Sequence, residues 1–84
     1  MTLEEHVINF RESFDRKTNE DLVQSFNKEV GVKGWVSIRG SYLKALREVF
    51  TSRCIDISSV YNGSEFLLDK KVKMEDNSLV RIDE

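Results

Sequence analysis

The chain has no proline, one cysteine, one histidine and one tryptophan among its 84 residues. A lone Cys54 excludes an internal disulfide framework and suits a reducing compartment. One histidine and one cysteine, far apart in sequence, fall short of the three or four ligands that a zinc site draws together. No GxGxxG or P-loop pattern is present, and neither are the spaced Asp/Asn ligands of a calcium loop, so no cofactor and no metal are expected. With four glycines (Gly31, Gly34, Gly40 and Gly63) and no proline, there is no linker, repeat or low-complexity tract. Residues 1–84 therefore read as one small globular domain. No apolar run approaches the roughly 20 residues needed to cross a bilayer, so no membrane role is expected. The stretch Met1-Thr2-Leu3-Glu4-Glu5 is acidic where a signal peptide is basic and then apolar, which predicts a cytoplasmic protein.

Hydrophobic residues make up 39% and charged residues 33%, the balance of a folded rather than a disordered chain. At this length the core is thin, and homo-oligomerisation is a further way to bury surface. The net charge of −2 is unevenly spread. Residues 1–30 carry −3 and residues 55–84 carry −3, whereas residues 31–54 carry +4 from Lys33, Arg39, Lys44, Arg47 and Arg53 against Glu48. Such a segregated field bears on binding rather than on fold.

Thr2 with Glu5 makes a capping-box pattern, and Leu3, Val7, Phe10 and Phe14 follow at helical spacing, predicting a helix over 3–15. A second helix is expected from an Asn19 cap, with acids in its first turn, a stripe of Leu22, Val23, Phe26 and Val30, and Gly31 as a left-handed terminator. The third runs from a Ser37 cap to about Arg53, where the arginine would oppose the negative end of its own dipole. Its apolar face is Tyr42, Leu43, Leu46, Val49 and Phe50. Cys54, between Phe50 and Ile57, is expected in the core.

The last third changes period. Val72 and Met74 alternate with lysines, and Val80 and Ile82 alternate with Leu79, Arg81 and Asp83. A two-residue Asp76-Asn77 turn would set Met74 opposite Leu79 and Val72 opposite Arg81, mixing the faces. A three-residue 76–78 loop would pair Met74 with Val80 and Val72 with Ile82, and that register is the one expected. Residues 55–61 read either as a short helical turn closed by Asn62-Gly63 or as a further strand. The fold expected is thus α+β: three helices and then a C-terminal antiparallel β-hairpin, or a three-stranded meander, packed on helix 3.

Catalysis is not expected. His6 lies beside Glu4 and Glu5 with no partner to activate. Two binding readings remain. In the first, Trp35, Arg39, Lys44 and Arg47 form a protein-binding surface, since tryptophan and arginine dominate interface hot spots; Trp35 could equally close the core between helices 2 and 3. In the second, helix 3 and a lysine-bearing hairpin (Lys70, Lys71, Lys73) bind nucleic acid as a winged helix does. Against it, the connection from Gly31 to Val36 is longer than the turn of about three or four residues in a helix-turn-helix, and the net charge is negative. The chain therefore reads as a small non-catalytic protein-interaction module, with nucleic-acid binding the alternative.

The run Phe26-Asn27-Lys28-Glu29-Val30-Gly31, then Gly34-Trp35, Ser37, Arg39, Tyr42-Leu43, Ala45-Leu46-Arg47 and Phe50, resembles a segment of small uncharacterised bacterial proteins. The resemblance covers about the middle third of the chain. It implies a bacterial or phage origin and carries no activity.

Overall fold

Two threonines start the helical part of the chain. The Thr2 hydroxyl accepts from the Glu5 N–H at 3.2 Å, and the Thr18 hydroxyl accepts from the Asp21 N–H at 3.1 Å. Each hydroxyl offers an acceptor to one of the N–H donors that a helix start leaves unsatisfied. The computed structural model describes residues 2–32 and 37–82. It contains α1 (Leu3–Asp15), α2 (Asn19–Glu29), α3 (Ser37–Ser52), β1 (Val72–Glu75) and β2 (Ser78–Arg81), an α+β arrangement. The cap of α2 is Thr18 rather than Asn19, which is the first helical residue; Ser37 is likewise the first residue of α3. None of the described helices is long and apolar enough to cross a membrane.

The core is built around α3. Leu43, Ala45, Leu46, Val49 and Phe50 meet Val7 and Phe14 of α1, Leu22, Val23 and Phe26 of α2, and then Ile55, Val60, Phe66, Val72 and Leu79. Through this shared core α3 packs with the hairpin region. The Tyr42 ring stands edge-on between Phe10 and Phe14, with centroids at 5.2 and 5.1 Å, and Phe26 meets Phe66 at 5.1 Å. Such edge-to-face pairs add about 0.5–1.5 kcal/mol each beyond the area they bury.

The hairpin register differs from expectation. Val72 faces Arg81, Lys73 faces Val80, Met74 faces Leu79 and Glu75 faces Ser78, so the loop is the two-residue Asp76-Asn77. Both loop residues are left-handed, with φ of +49° and +60°. That geometry matches the twist of the strands, and Asp and Asn tolerate it best after glycine. Turn chemistry thus outweighed the tidier alternation. Leu79 is 1% exposed and occupies the inner face with Val72, where Val80 was expected. Arg81 falls on that face too, and its long side chain reaches out to the Asp69 carboxylate.

Among the described residues no third strand forms. Asp56 makes an isolated parallel bridge with Ser78, its N–H donating to the Asn77 carbonyl at 2.8 Å and its carbonyl accepting from the Leu79 N–H at 2.9 Å. The chain then turns tightly, Val60 N–H donating to the Ile57 carbonyl at 3.0 Å and the Asp56 carboxylate accepting from the Ser58 N–H at 2.8 Å. The Ser58 N–H, helped by the Ser58 hydroxyl, holds the Asp56 carboxyl below its usual pKa. A second turn follows at Asn62-Gly63. The Asn62 Oδ1 accepts from the N–H groups of Ser64 and Glu65, both at 2.9 Å, and Tyr61 bridges Phe66.

The end of α3 holds two further departures. Cys54 is exposed, not in the core, and left-handed at φ +59°. Its N–H donates to the Thr51 carbonyl at 3.0 Å while the Ile55 N–H donates to the Phe50 carbonyl at 3.0 Å. This is the paired Schellman arrangement, with Cys54 where glycine is usual and Ile55 taking the buried place. Arg53 does not serve its own helix. Its guanidinium donates to the carbonyls of Phe14 at 3.2 Å and Asp15 at 3.3 Å, at the C-terminus of α1, and to Asn19 Oδ1 at 2.9 Å.

Beside β1 lies α2, joined to it by one side chain. Asn27 Nδ2 donates to the Val72 carbonyl at 3.0 Å, and the Val72 N–H donates to Asn27 Oδ1 at 2.8 Å. Asn27→Ala should strand both backbone groups of a residue that is 1% exposed, lowering stability by about 2–3 kcal/mol in urea denaturation. Changing the exposed Gln24 to Ala should cost almost nothing in the same assay. Cys54→Gly should act in the opposite sense. It removes a left-handed penalty of about 1–2 kcal/mol and loosens the unfolded chain by about 0.4–1 kcal/mol. A net gain near 0.5 kcal/mol is expected, seen as a higher denaturation midpoint.

Candidate binding groove

Positions 39, 40, 43, 44 and 47 of α3 recur at helical spacing and share one flank. On that flank lies a groove of about 470 Å³, lined on the α3 side by Arg39, Gly40, Leu43, Lys44 and Arg47. Gly40 contributes no side chain to this wall. The facing wall is Tyr61, Ser64, Glu65, Phe66 and Leu68, from the second of the two turns and the chain after it. Leu43 and Phe66 are buried and Leu68 packs against the core, so these three give the groove its apolar surface.

Three of the four residues expected to bind, Arg39, Lys44 and Arg47, line this one groove. Trp35 lies outside the described residues, as does Lys33. The three cations differ in their surroundings. Arg39 is already engaged: its Nε donates to Glu29 Oε2 at 3.0 Å and its Nη2 to the Glu29 carbonyl at 3.2 Å. Its side chain is 13% exposed, so the pair is largely out of water and ties the end of α2 to the start of α3. Arg47 lies over the Tyr61 ring, Cζ 5.4 Å from the centroid, which fixes its guanidinium without neutralising it. Lys44 is exposed.

Several other cations of the molecule are already engaged with carboxylates. Arg11 pairs with Glu48 at 3.2 Å, Lys73 with Glu75 at 3.1 Å, and Arg81 with Asp69. Among the described residues neither Lys44 nor Arg47 has a carboxylate partner within ion-pair distance. The groove thus combines two unneutralised cations on one wall, an apolar lining, and a single acid, Glu65, on the far wall. A smaller hollow of about 280 Å³, lined by Val30, Asp69, Lys70, Lys71 and Ile82, has its acid already paired with Arg81.

Away from the groove lining, a polar seam joins the helices. Ser25 is buried; its hydroxyl donates to the Asp21 carbonyl at 3.0 Å and accepts from Lys17 Nζ at 3.4 Å. Burial pushes the Tyr42 hydroxyl above its usual pKa and the nearby Glu29 charge adds to this, while a hydrogen bond with Ser25 opposes both. The seam is a structural support for α3 and opens onto no part of the groove lining.

Attention to the basic segment 31–54 found the α3 wall and missed the other. Tyr61, Glu65, Phe66 and Leu68 were marked only by Asn62-Gly63, whose turn brings Tyr61 and Phe66 together. Nothing local says that this turn faces α3. Among the described residues no three His, Cys, Asp or Glu side chains converge to hold a metal. No protein-family model, no curated protein and no solved structure matches the chain.

Proposed function

We propose that this chain is a small, non-catalytic protein-interaction domain that holds an acidic segment bearing a large apolar side chain. The observation that carries the reading is the pairing of Lys44 and Arg47, both without a carboxylate among the described residues, with the apolar lining of Leu43, Phe66 and Leu68. A carboxylate of the partner would meet the cations, and its apolar side chain would enter the groove. Pockets of about 300–1,000 Å³ are the size that buries such a group. Tyr61 and Ser64 bring hydroxyls to the lining, but no histidine or cysteine lies beside them to activate a nucleophile, which favours binding over catalysis. Two cations would release few counterions from a phosphate backbone, which favours protein over nucleic acid. A single exposed thiol suits a reducing compartment, so the proposed setting is the cytoplasm, and the resemblance of residues 26–50 points to a bacterial one.

The test uses labelled probes followed by fluorescence anisotropy: a peptide with glutamates flanking a central Phe-Leu pair, the same peptide with lysines for glutamates, and duplex DNA. The acidic peptide should bind and the basic one should not. The double variant Lys44→Glu, Arg47→Glu should weaken the acidic peptide by about tenfold or more, with helical circular dichroism unchanged. Tighter binding of the duplex than of the peptide, collapsing as salt rises, would replace this reading with nucleic-acid recognition.

A further inference from the structure

The first helix presents a surface of the opposite character. Its inner face, Val7, Phe10 and Phe14, is packed on the core. On its outer face stands Ile8, 52% exposed, and Glu4, Glu5, Glu12 and Asp15 lie four or three residues before it and four or seven after it. All four acids are exposed, and none forms an ion pair among the described residues. Arg11, the basic residue within α1, turns to Glu48 instead. An apolar side chain ringed by carboxylates is the chemistry that the groove on α3 lacks and would accept.

We infer that the occupant of the groove is a second copy of this chain, which inserts Ile8 against Leu43, Phe66 and Leu68 and sets its α1 carboxylates on Lys44 and Arg47. This rests on the reading of the groove as a site for acidic, apolar segments and names the segment. A molecule cannot satisfy itself in this way, because the core-packed face of α1 holds the acidic face outward. The contact joins two different surfaces, so it is head-to-tail: each copy offers its groove to one neighbour and its α1 to another, giving a ring or an open chain. Charge complementarity at such a contact speeds encounter and makes it sensitive to salt.

Sedimentation velocity on the full chain over a wide concentration range tests this, with two double variants. Lys44→Glu, Arg47→Glu disables the groove; Ile8→Lys, Glu12→Lys disables the α1 face, and both of its positions are exposed, so the fold should persist by circular dichroism. The unaltered protein should grow beyond a dimer with concentration and revert towards monomer as salt rises. Each variant alone should remain a monomer. An equimolar mixture of the two should give a heterodimer and nothing larger, because one intact groove and one intact α1 face survive between them. A protein that stays monomeric throughout, yet still binds the acidic Phe-Leu peptide, would overturn self-association and leave the groove's role standing; failure of both would remove both. Assembly that either variant leaves intact, or a mixture that does not pair, would place the contact elsewhere and overturn the inference.

Discussion

Three contacts made by the end of α2 and the residues just after it hold the two halves of the molecule in register. Asn27 gives Val72 both hydrogen bonds that a neighbouring strand would supply, so the outer edge of β1 is closed by a helix side chain. Glu29 holds Arg39 on α3. The Gly31 N–H, presented by a left-handed residue at φ +78°, donates to the Leu68 carbonyl at 3.1 Å. Within five residues the chain thus fixes the hairpin, the start of α3 and the end of the segment facing it. Val72 is buried and Asn27, Glu29, Arg39 and Leu68 are half-buried, where an unmade hydrogen bond is costly.

The groove follows from that arrangement. Its α3 wall is set by the Arg39–Glu29 tie, and its other wall by Leu68 at one end and the Tyr61–Phe66 bridge at the other. The walls stand apart because the space at Gly40 is unfilled while Leu43 and Phe66 belong to the core. Charge completes the picture. Carboxylates neutralise Arg11, Arg39 and Arg81 within the fold, whereas Lys44 and Arg47 stand beside apolar surface with no carboxylate partner among the described residues, and the acids on the outer face of α1 are exposed and equally unpaired.

The helices were legible because their signals are local. Hydroxyl caps, first-turn acids and an apolar residue every three or four positions need only the neighbouring turn, and the helix bounds followed within a residue. Register was less legible. Alternation favoured Val80 over Leu79 as the buried residue, whereas the left-handed tolerance of Asp76 and Asn77 decided the loop and turned every side chain of β2 over. Cys54 misled for a related reason. Its apolar character suggested burial, but it occupies the left-handed position that ends α3, where the backbone directs the side chain into solvent.

From its composition and periodicity alone, the chain determined three helices in order with the apolar faces they bury, a hairpin after them and a basic third helix. Those properties arise from interactions within a few residues, so they survive reading along one dimension. Tertiary structure decided which turn faces α3, that Arg39 is engaged while Lys44 and Arg47 are not, and that Arg53 serves α1 rather than its own helix. Each of these joins residues ten to forty positions apart, where the energy belongs to a pair brought together by the folded core and leaves no periodic trace in either segment.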